Sequence, residues 1–308
     1  MQYLASVAKL CVCLAGVRYC WSKRTRYKIL GAPIGGGKFC SVSLALCTTR
    51  QTVVVVKSLR MDVRAVVQRP LRRSFEREVH ILRYLQGAPN IVSYIDHYGT
   101  SAALNVVLEY CEHPDLLQHI QHHGAFDEDT AIPLFLQMLN TLRFLHSQHI
   151  VHRDIKPENF VYNPHRATVT WIDFSHAKMG TSHKDTQRMT TNTGTLYYNA
   201  PELLNSYLCY DGCSVDVWAL GVTLYVILFM RFPFEGYTCQ ELRIHIFGGL
   251  NLFGQELRSL CPWLCELFVH VFEIDSTKRW GTTQLIDYIY THHYPRQMAH
   301  VCEEERRL

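Results

Sequence analysis

The sequence predicts an α+β chain in which a small sheet-rich lobe is followed by a larger helical one. Three observations carry that reading. The first third holds short runs of strand character: Val53 to Val56 is β-branched and too short for a helix, and Leu104 to Leu108 is a second apolar run ending in Glu109-Tyr110. After Pro114 the spacing becomes helical over Asp129 to Leu145 and Val215 to Phe229, and the second stretch is apolar nearly all round, which predicts burial. Hydrophobic residues make up 48% of the 308 and charged residues 19%, the profile of a soluble globular chain with a sizeable core. Two lobes imply a cleft between them, a common place for a ligand site.

Taken in chain order, the first 21 residues contain an apolar run, Leu10 to Val17, followed by Arg18, Lys23, Arg24 and Arg26. The run is too short to span a membrane, and its basic residues follow it rather than precede it, against a signal peptide. A helix or strand packed on the domain is the expected reading; membrane contact through residues 1–21, with Cys11 or Cys13 acylated, is the alternative. Next comes Ile34-Gly35-Gly36-Gly37-Lys38-Phe39-Cys40-Ser41-Val42, a strand-turn-strand whose glycines let backbone N–H groups approach anionic oxygens closely. Lys57 ends the valine run, and a cation at the end of a buried strand must be paired. Ser74 to Leu85 carries Phe75, Val79, Leu82 and Leu85 at helical intervals and stops at Gly87-Ala88-Pro89-Asn90. Glu78, on that helix, is the natural partner of Lys57.

Composition narrows the function classes. A formal charge of +4 is small for this length and calls for no nucleic acid. The 12 cysteines are scattered with no C-x-x-C pair, which argues against a zinc site despite the 17 histidines. Cys209/Cys213 and Cys261/Cys265 are spaced to share one helix face each, and the cysteines are expected to be small buried hydrophobes in a reducing compartment rather than disulfides. No internal repeat or low-complexity tract occurs.

The most specific segment is His152-Arg153-Asp154-Ile155-Lys156-Pro157-Glu158-Asn159. It is followed by Ile172-Asp173-Phe174-Ser175, Gly194-Thr195, Ala200-Pro201-Glu202, Asp216-Val217-Trp218-Ala219-Leu220-Gly221 and Arg279. In this order and spacing the segments resemble the eukaryotic protein kinases of the serine/threonine branch, over roughly residues 27 to 295. The resemblance implies a two-lobed protein kinase fold with the ATP site in the cleft: N-lobe 27–108, hinge 109–111, C-lobe 112–295, flanked by 1–26 and a short charged tail, 296–308. No appended regulatory domain is expected. The compact layout and the cysteine and histidine content also resemble divergent kinases carried by large DNA viruses.

By the same resemblance, Asp154 orients the substrate hydroxyl and accepts its proton, and Lys156 neutralises the phosphoryl group in transfer. Asn159 and Asp173 hold Mg²⁺ through hard oxygens. Lys57, directed by Glu78, binds the α- and β-phosphates of ATP beneath the loop 34–42. Leu108 is the gatekeeper, Glu109, Tyr110 and Cys111 form the hinge that binds adenine, and Val42, Val55 and Val161 sandwich the ring. Arg279 pairs with Glu202. Lys156 and Gly194-Thr195 mark the serine/threonine branch.

Three residues depart from the pattern: Cys40 for the third glycine, Val55 for alanine and Ser175 for the glycine of D-F-G. Ser175 is expected to disfavour positive φ by about 1–2 kcal/mol. Cys40 is expected to point to the pocket lip as a thiol whose pKa is lowered by Lys38 and the loop amides. The expected function is ATP-dependent phosphorylation of protein hydroxyls, with a pseudokinase scaffold as the alternative. Expected partners are protein substrates, selected through Asp115 and Glu158 for arginine three residues before the acceptor. The enzyme is expected to be an intracellular monomer, cytoplasmic or nuclear, or in an infected host cell if viral. A phosphate on Thr190 or Thr191 would order the activation segment against Arg153 and Lys178.

Overall fold

A computed structural model describes residues 26–37, 39–61, 65–186, 189, 195–204, 209–248 and 260–293. Lys38, Thr190, Thr191, Gly194, the N-terminal apolar run and the C-terminal tail lie outside the described residues. The described chain forms two compact units: residues up to Glu112 together with Asp173–Ala177, and residues from His113 onward apart from that segment.

The first unit is an antiparallel sheet with one helix. Its strands are β1 (Tyr27–Ile29), β2 (Gly35–Gly36), β3 (Cys40–Cys47), β4 (Thr52–Arg60), β5 (Tyr94–Gly99) and β6 (Ala103–Glu109). They run in the order β1-β3-β4-β6-β5, with β2 paired to β3. The valine run shows why this segment is a strand: Val54 and Val56 are buried at 2% and 0% exposure and join Tyr27, Ala45, Cys47, Tyr98 and Val107 in the core. Val55 and Lys57 therefore lie on the opposite face, half-buried. The helix, α1 (Ala65–Tyr84), begins nine residues before the expected Ser74. Its first half carries Pro70, Arg69, Arg72 and Arg73, which hide the apolar spacing. Phe75, Val79, Leu82 and Leu85 are all buried, as their intervals predict.

The second unit is mainly helical: α2 (Leu116–His123), α3 (Glu128–Ser147), α4 (His183–Thr186), α5 (Gly212–Phe229), α6 (Cys239–Phe247), α7 (Pro262–Val271) and α8 (Thr282–His292). Two small ribbons pair β7 (Ile150–Val151) with β10 (Lys178–Met179) and β8 (Phe160–Asn163) with β9 (Thr168–Trp171). α5 is long and apolar enough to cross a membrane, yet sixteen of its eighteen residues are buried and α2, α3 and α7 pack on it, as a core helix requires. Gly221 makes the α7 contact possible, because a Cβ there would stand 2.0 Å from Val271 Cγ1. Asp115, Asp127, Asp211 and Thr238 cap α2, α3, α5 and α6 with side-chain oxygens.

The cysteine expectations are corrected here. Cys209 precedes α5 and is exposed, so it shares no helix face with Cys213; Cys261 is the N-cap of α7 rather than part of its face. Of the eight described cysteines, all free thiols, only Cys47 is buried. The sheet and helices bury aliphatic and aromatic side chains instead, and leave the thiols at strand ends, first turns and connections.

Candidate active site

Within the first unit, the β3–β4 register sets Val42 opposite Lys57 and Leu44 opposite Val55. Lys57 Nζ donates to Glu78 Oε1 at 2.7 Å and to Asp173 Oδ1 at 2.8 Å. Burial alone would favour a neutral amine, but the two carboxylates outweigh it and hold the Lys57 pKa above its ordinary value. Burial likewise works against an ionised Asp173; Lys57 and the Ser175 N–H, at 2.8 Å, outweigh it and hold that carboxyl below the usual range. Burial pushes the Glu78 carboxyl up while Lys57 pulls it back.

One expectation about this unit holds and one is overturned. Ser175 is not among the residues with positive φ, as a residue with a Cβ is expected to avoid that region. Its carbonyl accepts a hydrogen bond from Ser74 Oγ at 3.1 Å, a contact to α1 that the sequence gave no reason to expect. Cys40 is half-buried, and burial pushes its thiol up more strongly than Lys57 pulls it down. It is not the activated thiol its position suggested.

The glycine loop turns tightly. Gly35 pairs with Val42 and Gly36 with Ser41, and Gly37 N–H donates to Cys40 O at 2.8 Å. Gly36 has φ 144, and a Cβ on it would lie 2.4 Å from Cys40 O, so only glycine fits. Ile34 is exposed, and the Phe39 carbonyl is taken by the Arg60 N–H. At the end of β6, Leu108 is buried, and Glu109 exchanges two bonds with Ser93: its N–H to Ser93 O and its Oε1 from Ser93 N–H. Cys111 follows, half-buried, with its thiol pushed up to about 11 by burial. Its backbone N–H and C=O make no hydrogen bond among the described residues.

In the second unit, Asp154 sits among Lys156, whose Nζ is 3.0 Å from its Oδ2, and Asn159, whose Nδ2 donates to its backbone O at 2.6 Å and Oδ2 at 3.1 Å. Lys156 Nζ also donates to Thr195 Oγ1 at 2.9 Å. The backbone of this loop is held from beneath by Asp216, which accepts from the N–H of His152 at 2.8 Å and of Arg153 at 2.7 Å. Arg153 adopts φ 66, a left-handed conformation sustained by that anchor. Val161 on β8 is buried at 9% exposure. Arg279 makes a bidentate pair with Glu202, at 2.7 and 3.1 Å.

Sequence reasoning missed His146, whose Nε2 lies 3.0 Å from Asp216 Oδ2. The available signal was a histidine four residues after Leu142, on the apolar face of its helix, and an aspartate in an otherwise apolar helix, each needing a polar partner. Of the proposed regulatory cations, Lys178 donates to Met189 Sδ at 3.4 Å, and Arg153 is buried and bonded to Tyr210. In the first unit, Asp173 keeps a third of its side chain exposed, an oxygen donor of the kind a hard cation takes. In the second, Asn159 spends its NH₂ on Asp154, leaving its carbonyl oxygen. Among the described residues no cluster of three His, Cys, Asp or Glu would hold a softer metal.

Comparison with known proteins agrees with this layout. The protein kinase domain model matches residues 29–291. Sperm motility kinase 3A of Mus musculus is 34% identical over 256 residues, which is 77% of this chain and 48% of that protein. CBL-interacting protein kinase 32 of Oryza sativa subsp. japonica is 33% identical over 213 residues, 69% of this chain and 48% of its own. The chain spans less than half the length of these curated relatives. In fold it is similar to the crystal structure of Rad53 1-466 in complex with AMP-PNP, with a TM-score of 0.69 at 24% identity, covering 86% of this chain and 65% of that one. A sheet-rich N-terminal region, a helical C-terminal region and a family match over most of the chain lead to one conclusion: this chain belongs to the protein kinase family.

Proposed function

We propose that the chain is an active serine/threonine protein kinase that transfers the γ-phosphate of ATP to protein hydroxyl groups with Mg²⁺. The observation that carries this reading is the Lys57 ammonium held between Glu78 and Asp173, the arrangement that aims a cation at the α- and β-phosphates. Bound Mg·ATP would supply the transferable phosphoryl group and the cation that neutralises it. Asp173 and the Asn159 carbonyl are the hard oxygens for that cation. Asp154 holds the acceptor hydroxyl and takes its proton, while Lys156, 3.0 Å from that carboxylate, places positive charge where the phosphoryl group passes. The Lys156–Thr195 bond joins the two residues that mark the serine/threonine branch.

Substrate choice follows from charge. Glu158 Oε2 is buried without a hydrogen-bond partner, and burial, with Asp115 and Asp154 nearby, pushes its carboxyl up. A guanidinium from an arginine three residues before the acceptor would satisfy it. The apolar, buried Val226 supplies no further acid for the position two before. The reading places the enzyme inside the cell, where ATP is available, acting as a monomer.

The test is phosphotransfer to a broad serine/threonine peptide library with Mg·ATP. Asp154→Asn should lower the rate by about 10³-fold or more while nucleotide binding is retained. A wild type as inert as the variant would replace this reading with a nucleotide-binding pseudokinase scaffold.

A further inference from the structure

In the second unit a cavity of about 380 Å³ lies between the first turns of α5 and α8, within the range of about 300–1,000 Å³ usual for small-molecule sites. The two helices meet it differently. α5 is capped, because Asp211 Oδ1 accepts the Cys213 N–H at 3.0 Å. α8 starts at Gly281, which has no side chain to offer, and the N–H groups of Thr282 and Thr283 make no hydrogen bond among the described residues. Nothing in the local backbone calls for glycine. Gly281 lies at φ −82 and ψ 173, a conformation open to any residue, and an added Cβ would meet only Gln284 Oε1, at 3.9 Å. The effect of glycine is to leave the positive end of α8 uncovered at the cavity wall.

Thr282 adds a second, independent observation. It lines the cavity and is only 8% exposed, yet its hydroxyl makes no hydrogen bond among the described residues. A hydroxyl so buried is normally paired. Its polar neighbours on the wall are already committed. Arg279 donates to Glu202, to Glu273 O and to Ser214, and Ser214 Oγ donates to Ser276 O at 3.3 Å. His146 Nε2 lies 3.0 Å from Asp216 Oδ2, and Asp211, the one carboxylate on the wall, is spent on α5. Two peptide N–H groups and one hydroxyl are thus left without an acceptor at one helix end.

We propose that the first turn of α8, with the Thr282 hydroxyl, is a binding site for a phosphate group, carried by a small phosphate ester or by the free ion and seated in this cavity. The amides and the hydroxyl donate to the phosphate oxygens, and the helix dipole favours their negative charge. Three donors match the three acceptor oxygens of a phosphate ester better than the two of a carboxylate. Val217 and Trp280 offer apolar wall to the organic part of an ester. Asp154 and Asn159 are not on this wall, so the site is distinct from the groups assigned to phosphoryl transfer.

The full chain, labelled with ¹⁵N-threonine, is titrated at pH 7 with sodium phosphate and separately with glycerol phosphate, at constant ionic strength. The Thr282 and Thr283 amide resonances should shift and saturate, and matched sodium chloride should leave them in place. Thr282→Val keeps the shape and removes the hydroxyl. In it the Thr283 resonance should need about tenfold more ligand, as loss of one hydrogen bond to a charged group implies. Gly281→Asp sets a capping carboxylate on the same amides, so it should raise the thermal midpoint without ligand and abolish the response to phosphate. Tighter binding of glycerol phosphate than of phosphate assigns the site to esters; equal or weaker binding assigns it to the free ion. Unmoved resonances in wild type overturn the proposal. So does a wild-type response in Thr282→Val or in Gly281→Asp. Phosphate bound elsewhere on the chain does not report at these threonines, and no readout depends on kinase activity.

Discussion

Asp173 in the first unit and Asp216 in the second are both carboxylates drawn out of water beside a cation, yet they are satisfied in different ways. Asp173 is one-third exposed and relies on the Lys57 side chain and the Ser175 N–H. Asp216 is wholly buried, and two backbone N–H groups and His146 occupy it. A carboxylate paired to a side chain at the edge of water can exchange that partner for a ligand. One locked to peptide groups in the core can only hold them in place. The comparison therefore separates an acid free to take a ligand from an acid for scaffolding.

The largest effect that would sharpen this contrast is expected from Lys57→Met. Phosphotransfer should fall by about 10²–10³-fold, comparable to loss of one preorganised electrostatic contact, while the chain still folds. Loss of cooperative urea unfolding in this variant would break the contrast, by making both clusters scaffold. Asp216→Ala should act in the opposite sense. It leaves two peptide N–H groups and an imidazolium unpaired in the core, and should lower unfolding free energy by about 3–5 kcal/mol in urea titrations. A loss under about 1 kcal/mol would mean that the loop amides find other acceptors.

The two clusters should also fail at opposite ends of the pH scale. His146 binds its proton up to about pH 10 when folded, against an ordinary 6.5, so its contribution is complete below about 6.5 and declines as pH rises toward 10. Asp173 is held below its ordinary 3.8, so its contribution is present above that value and is lost as pH falls beneath it. Urea unfolding between pH 6.5 and 10 should show the alkaline decline, and Asp216→Asn, which removes the charge opposite His146, should flatten it. Equal slopes in the two proteins would deny His146 this role.

The smallest effect concerns Asp115, which accepts the Gln118 N–H at 2.8 Å as the cap of α2. Asp115→Ala should cost about 1 kcal/mol, whereas Asp115→Asn keeps the cap and only removes charge. If Asp115 also recognises substrate, Asp115→Asn should weaken the preference for arginine at minus three in a positional peptide scan. An unchanged preference would assign the residue to capping alone.

What the sequence determined by itself were the features that depend on near neighbours and on spacing. Alternation along Val53 to Lys57 places Lys57 on the face away from the core, because strand side chains alternate. The apolar run Val215 to Phe229 is buried because no face of that helix tolerates water. The spaced acids, lysine and asparagine of residues 154 to 173 pointed to the chain's family through residue type and order alone. Only the tertiary structure decided which partners those groups meet. The Lys57–Asp173 bond joins residues 116 apart and the His146–Asp216 bond residues 70 apart, and periodicity carries no information over such separations. It likewise decided that Ser175 avoids positive φ and that burial outweighs Lys57 at Cys40. Burial and pairing are properties of the packed chain, and a residue's charge state follows from whatever packing sets against it.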